Sequence, residues 1–265
     1  MYSSSRPTTT ARARREDWAR CLLREPSPYA RSLLFCVPYS GTGASMYHRW
    51  PRYIGTIEVC PVQVAGRENR FAEPPPEGYD AMGEELADLL EPWFDRPFAF
   101  FGHCGSAYVG FEAARALTER GGPHPAHVFV SSMVAPHQCS ETSILRLPED
   151  QLGGVVETLI RARGADPAPE LVEVALEVMR VDVRMHSRYR PERPVRLPCP
   201  ITVVGWTEDS QVRADTLGEW ARYGSARGEL LDGDHWAFLG APRSLLGLIE
   251  REMVAATMRD GGESR

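Results

Sequence analysis

Lysine is absent: all 30 basic side chains of this 265-residue chain are arginine. That excludes a Schiff-base lysine and any phosphate loop that depends on one. No C-x-x-C pair occurs either. The six cysteines (Cys21, Cys36, Cys60, Cys104, Cys139 and Cys199) are widely spaced, whereas disulfide frameworks belong to small secreted chains, so reduced thiols in a cytoplasmic protein are expected. His124-x-x-His127 is the one close histidine pair; nothing beside it completes a ligand set, and no metal or organic cofactor is expected. A positive net charge is missing too: the balance is −6, which gives no support for nucleic-acid binding. Apolar runs such as Ser32–Pro38 fall far short of the roughly 20 residues of a bilayer span, so no membrane partner is expected. The first fifteen residues, MYSSSRPTTTARARR, hold no apolar stretch of the secretory kind and read as a flexible tail. Internal repeats and low-complexity blocks are also lacking.

What is present is ordinary globular composition, with 43% hydrophobic and 25% charged residues, in a length that suits a single α/β unit. Glu16–Arg24 is a short helix candidate. Compact apolar runs at Ser32–Pro38, Ile57–Val64, Phe98–Phe101, His127–Ser132 and Pro200–Gly205 read as buried strands, with Glu229–Leu231 a shorter one. Between them, Tyr79–Trp93, Tyr108–Arg120, Asp215–Tyr223 and Pro242–Thr257 have helical spacing. That alternation predicts an α/β fold with a mostly parallel sheet covered on both faces. One stretch breaks it. From about Cys139 to Arg196 only two helical patterns appear, Pro148–Arg163 and Pro169–Arg184. The expected organisation is therefore a flexible extension and short helix over 1–30, a core over 31–138 and 197–258, a helical lid over 139–196 and a flexible tail over 259–265.

Phe98–Phe101 runs into Gly102-His103-Cys104-Gly105-Ser106 and then a helix. This is the strand, sharp turn and helix of the nucleophile elbow of α/β-hydrolases, usually G-x-S-x-G. Cys104 takes the nucleophile's place, and Ser106 stands where a second glycine is usual. A thiolate at a helix N-terminus is a competent nucleophile, so cysteine is chemically sensible there.

A nucleophile needs a base and an orienting acid, which in this fold follow it in the order nucleophile, acid, histidine. His235 stands in Asp232-Gly233-Asp234-His235-Trp236, a glycine-marked turn after a strand. His48, His124, His127, His137 and His186 sit in polar or proline-rich surroundings and read as surface or loop residues; His103 inside the elbow reads as packing. For the acid, Asp209 follows the strand ending at Gly205, with Glu208 its nearest rival and Asp232 and Asp234 further alternatives. An oxyanion hole would combine the backbone N–H of Gly105 with one from the loop Pro38–Gly43.

Several dispersed motifs together resemble the type II thioesterases of nonribosomal peptide and polyketide biosynthesis. They are Val37-Pro38-Tyr39-Ser40-Gly41, Gly66-Arg67-Glu68-Asn69-Arg70, the elbow, Arg180-Val181-Asp182 and Gly233-Asp234-His235-Trp236. The resemblance runs from about Ser32 to Ile249. It implies a hydrolase that clears acyl groups from the phosphopantetheine arms of acyl or peptidyl carrier proteins. By position it gives Cys104 the nucleophile's role, Asp209 the acid's and His235 the base's, with Ser40 and Gly105 at the oxyanion hole. The chain departs from the family pattern at Cys104, Gly105 and Ser106. Because an acyl-cysteine stays activated, transfer or cyclisation to an amine or hydroxyl is an alternative outcome, and an inactive carrier-protein binder is a third.

Overall fold

The computed structural model describes residues 18–142, 147–191 and 194–262, with side chains through 258. The expected tail over the first fifteen residues and the start of the Glu16–Arg24 helix lie outside the described residues; Trp18–Arg20 forms one 3-10 turn.

Strand β1 (Ser32–Cys36) is buried along its whole length. Period-2 alternation sends Leu33 and Phe35 into one core and Leu34 and Cys36 into the other. Strand β4 (Phe98–His103) divides in the same way, Phe98 and Phe100 against Ala99 and Phe101. The short apolar runs are thus strands with no solvent face, as parallel strands covered on both sides must be. The other strands are β2 (Tyr53–Ile54), β3 (Ile57–Pro61), β5 (His127–Ser131), β6 (Pro200–Trp206) and β7 (Ser225–Leu231). Their order is β2-β3-β1-β4-β5-β6-β7, all pairs parallel except β2 with β3.

Helices α1 (Tyr79–Leu90) and α2 (Ser106–Glu119) cover one face. They come close because Gly83 has no side chain: a Cβ there would lie 2.6 Å from the Ala113 nitrogen. Helix α5 (Arg243–Gly262) packs Leu245, Leu248, Ile249 and Met253 on the opposite face. Between β5 and β6 come α3 (Leu152–Ala162) and α4 (Pro169–Arg188). Met179 of α4 joins one core and Met185 the other, so this helix crosses the sheet's edge. Proline at its first position and His186 and Arg188 in its last turn suit a helix of that direction.

Several boundaries differ from the sequence reading. The β3 ladder ends at Pro61, and Val62 instead bridges Leu22. The segment expected as a helix over Asp215–Tyr223 is a 3-10 helix, Ala214–Arg222. The C-terminal helix runs on to Gly262; 263–265 lie outside the described residues. Strand β2, only two residues long, had gone unread. His127 and His186, expected at the surface, are each only 2% exposed.

Candidate active site

In an open parallel sheet the carboxyl ends of the strands form the binding crevice. Here β1, β4, β5, β6 and β7 all deliver candidate residues to that edge. The turn between β4 and α2 places Cys104 at φ 55, in the left-handed region, which costs a non-glycine residue about 1–3 kcal/mol and persists only when neighbours enforce it. They do. The Cys104 N–H donates to the Ser131 carbonyl at 2.8 Å, and its carbonyl accepts from Ala107 at 2.9 Å. Gly102 is obligatory, because a Cβ there would sit 2.4 Å from the Ser106 carbonyl oxygen. Ser106 is tolerated for a different reason: its hydroxyl donates to the His103 carbonyl (2.8 Å) and accepts from the His103 N–H (2.9 Å), pinning the turn that it would otherwise crowd.

Cys104 is half-buried, while the other five cysteines are buried. Burial raises the Cys139 and Cys199 thiols to about 12 and pushes Cys36 and Cys60 up as well. Those four are held as inert thiols.

His235, 2% exposed, follows β7. Its Nδ1 lies 3.2 Å from both Asp209 carboxylate oxygens. Burial lowers the ring's pKa, but hydrogen bonds to Asp209 and Cys104 and their charges outweigh it, raising it to about 9. The same partnership, with the Ser132 hydroxyl and the Gln211 N–H, holds Asp209 below the usual carboxylate range against the upward push of its own burial. Nε2 is buried with no protein hydrogen bond of ordinary geometry, and Cys104 supplies the interaction on that side. Tyr39, Trp236 and His103 wall the ring, with centroids 6.0, 5.1 and 4.6 Å away. His103 stacks on Phe238 at 3.8 Å, and burial with the neighbouring His235 charge keeps it neutral. Glu208, Asp232 and Asp234 are all exposed, and Asp234 accepts from the Trp236 N–H; of the four acids weighed, Asp209 alone meets His235.

Ser132 was not foreseen. It directly follows β5 in a left-handed conformation, φ 53, fully buried. Its hydroxyl donates to Asp209 Oδ2 and lies 3.1 Å from His235 Nδ1. A buried polar residue at the carboxyl end of a parallel strand was the available signal. Ser132→Ala removes a hydrogen bond to a charged group, worth about 1.5–3 kcal/mol, and is expected to lower kcat/KM about ten- to a hundredfold. Steady-state kinetics on a soluble thioester checks this; an unchanged value would reduce Ser132 to packing.

The loop after β1 is fixed from below. Arg67 and Asp182, both 4% exposed at the side chain, form a bidentate pair with Nη2–Oδ1 at 2.7 Å and Nη1–Oδ2 at 3.2 Å. Arg67 also donates to the Thr42 carbonyl, and Asp182 Oδ2 accepts from the Gly41 N–H at 2.8 Å. Two motifs far apart in sequence therefore clamp one loop, whereas Arg180 pairs with Glu149 at the surface. Asp182→Ala leaves a buried guanidinium uncompensated and is expected to cost about 3–5 kcal/mol, read as a lower urea midpoint. Beyond the same loop lies a cavity of about 420 Å³, walled by Ile160 of α3, Leu171, Val174 and Val178 of α4, and Phe71.

Ser40 and Gly105 come together. A Cβ on Gly105 would lie 3.2 Å from Ser40 Oγ and 2.5 Å from the Tyr79 hydroxyl. Neither backbone N–H makes a backbone hydrogen bond to another described residue. His124 and His127 do not form a pair: His124 is exposed, and His127 meets Thr202 from inside β5.

Residues 32–253 match the family described as thioesterase domain. The chain is 34% identical over 232 residues, 83% of its length and 87% of the relative's, to LgrE of Brevibacillus parabrevis, which is named a linear gramicidin dehydrogenase. Among solved structures, RedJ, a thioesterase from the prodiginine pathway of Streptomyces coelicolor, is 30% identical with a TM-score of 0.71, covering 86% of this chain and 96% of that one. BorB, a type II thioesterase from the borrelidin cluster, is 28% identical with a TM-score of 0.71, covering 87% and 95%. With a family match spanning most of its length and an α/β-hydrolase sheet carrying the elbow, this chain belongs to the thioesterase domain family.

Proposed function

We propose that the protein is a type II thioesterase that hydrolyses acyl groups from the phosphopantetheine arms of acyl or peptidyl carrier proteins in nonribosomal peptide or polyketide biosynthesis. The observation that carries the reading is Cys104 on its strained turn, interacting with a buried His235 that Asp209 holds through Nδ1. In this reading Cys104 attacks the thioester carbonyl as a thiolate paired with protonated His235, and the Ser40 and Gly105 N–H groups receive the oxyanion. His235 protonates the departing pantetheine thiolate, leaving acyl-Cys104. Water then attacks, giving a proton to His235, and the carboxylic acid leaves as the Cys104 thiolate and the protonated His235 are restored. No cofactor or metal enters the scheme.

Helices α3 and α4, within 139–196, act as the lid, and the cavity between them and the Gly41–Gly43 loop supplies apolar room for an acyl chain. The dehydrogenase name of LgrE is not carried over. A dinucleotide fold needs a glycine turn opening a long helix after its first strand. The loop after β1 opens only the six-residue 3-10 helix Ala44–Arg49, and its Gly41 N–H is taken by Asp182.

The test is intact mass spectrometry after mixing with acyl-loaded carrier protein. The expected result is loss of the acyl group from the carrier with free acid as product, abolished by prior alkylation of Cys104. Carrier that stays loaded would refute the enzyme reading and leave a binding protein.

A further inference from the structure

A buried polar chain outside the proposed triad runs from helix α4 to the nucleophile elbow. His186 of α4 places Nδ1 2.9 Å from the Tyr79 hydroxyl, and Nε2 2.6 Å from Thr142 Oγ1 and 3.4 Å from Cys139 Sγ. One assignment of donors satisfies every group. Thr142 donates its one hydroxyl hydrogen to the Cys139 carbonyl at 2.9 Å, and Cys139 donates its thiol hydrogen to the His186 carbonyl at 3.5 Å. In that arrangement both accept from Nε2, which carries the ring proton, and Nδ1 accepts from Tyr79. Burial, with the Arg190 charge, lowers this imidazole's pKa to about 4, so it stays neutral and the arrangement is fixed.

The far end of the chain is the elbow. The Tyr79 hydroxyl occupies the space that a side chain on Gly105 would need, 2.5 Å from the ideal Cβ. This accounts for the glycine after the nucleophile: the volume belongs to Tyr79. Asp182 and His186 lie four residues apart, on one face of α4. One turn of this helix thus reaches both sides of the proposed oxyanion hole. Asp182 holds the Gly41 N–H beside Ser40, and His186 holds Tyr79 over Gly105.

We propose that α4 positions both oxyanion donors, with Tyr79 and His186 as positioning residues for the Gly105 N–H, just as Asp182 and Arg67 are for the Ser40 side. The inference rests on the thioesterase reading and deepens it: acylation of Cys104 requires α4 to be seated, so the helix that roofs the acyl cavity also sets the catalytic geometry.

The experiment compares two reactions of Cys104 in the full chain, both followed by intact mass. One is acylation by a simple acyl-N-acetylcysteamine thioester, which develops an oxyanion. The other is alkylation by iodoacetamide, which does not. Gly105→Ala is expected to slow acylation about a hundredfold, the scale of losing one oxyanion donor, while alkylation stays within about twofold. In the double variant Gly105→Ala with Tyr79→Phe, the nearest tyrosine atom to the new methyl is the ring carbon, at 3.5 Å. That is ordinary contact, Ser40 Oγ at 3.2 Å need yield only a few tenths of an ångström, and acylation should recover at least about tenfold over Gly105→Ala alone. His186→Leu should slow acylation about tenfold at little change in KM. His186→Asn, whose amide oxygen can replace Nδ1 as acceptor, should retain most of the rate. A double variant no faster than Gly105→Ala, or a His186→Leu variant that acylates at the native rate while merely melting earlier, would overturn the proposal. A native chain that is alkylated but never acylated would remove the thioesterase reading and this inference with it.

Discussion

His235→Ala is expected to lower thioester turnover by about three to four orders of magnitude, the range for removing a general acid–base that also completes a triad. In the proposed mechanism the imidazole acts twice. In acylation it must protonate the departing pantetheine thiolate, and in deacylation it must take a proton from water. Alanine leaves both steps without their proposed proton carrier, and Glu208, Asp232 and Asp234, all exposed, are not placed to replace it. With its pKa raised to about 9, His235 is protonated at neutral pH and ready for the first of these steps. The native acylation rate should therefore fall as pH rises through about 9, and the alanine variant should lack that limb. The same sign governs stability. A pKa above the unfolded value makes the charged form stabilising, fully so below about 6.5 and progressively less as pH passes through 9. Asp209→Asn should do less harm, because Ser132 still contacts Nδ1. Stopped-flow acylation measured from pH 6 to 10 on the native chain, these two variants and Glu208→Gln decides the matter. A silent Asp209→Asn beside a crippled Glu208→Gln would show that the acid is misassigned.

What could be read from the sequence follows from how local each signal is. The elbow was legible because strand, turn and helix are contiguous, and Gly102 and Gly105 mark places where a Cβ does not fit. Asp209 and His235 were legible because each follows a strand at the edge where this fold collects its residues. Ser132 escaped because serine after an apolar strand is common, and only the three-dimensional meeting of β5 with β6 brings it to Asp209. His186 reads as a surface or loop residue in sequence because its surroundings are polar. The helical phase held the better clue. Val178, Met179, Asp182, Met185 and His186, the buried residues of α4, recur at the spacing of one buried face. Strand β2 is too short for periodicity to register. The segment after β6 has an amphipathic pattern that does not distinguish 3-10 from α geometry, because the two differ by one residue in their hydrogen bonds. The departures from the family pattern at Gly105 and Ser106 have structural partners, in the Tyr79 hydroxyl and the His103 backbone.

Cys104→Ala is expected to abolish turnover and acyl-enzyme formation together, while Cys104→Ser bears on why the chain carries sulfur at all. Acyl transfer from pantetheine to Cys104 exchanges one thioester for another, so this step is nearly balanced and the acyl-enzyme remains activated. Transfer to serine yields an oxygen ester, a poorer acyl donor. For the hydrolase proposed here, native protein should release free acid as the sole product, with or without a small amine present. The serine variant should still hydrolyse, because Gly102, Ser106 and the Ser131 carbonyl hold the turn through contacts independent of the nucleophile's side chain. Its rate-limiting step should move to deacylation, so that an acyl-serine ester accumulates and is seen by intact mass. Iodoacetamide gives an independent check on the native chain. Cys104, alone half-buried, should be modified ahead of Cys36, Cys60, Cys139 and Cys199, whose burial keeps them protonated. A different pattern would reverse the conclusion about the reaction. If native acyl-Cys104 persists in water and discharges at once to an added amine or alcohol, while the serine ester does not, the enzyme is an acyltransferase built on a thioesterase fold. The sulfur would then serve to keep the acyl group reactive until its acceptor arrives.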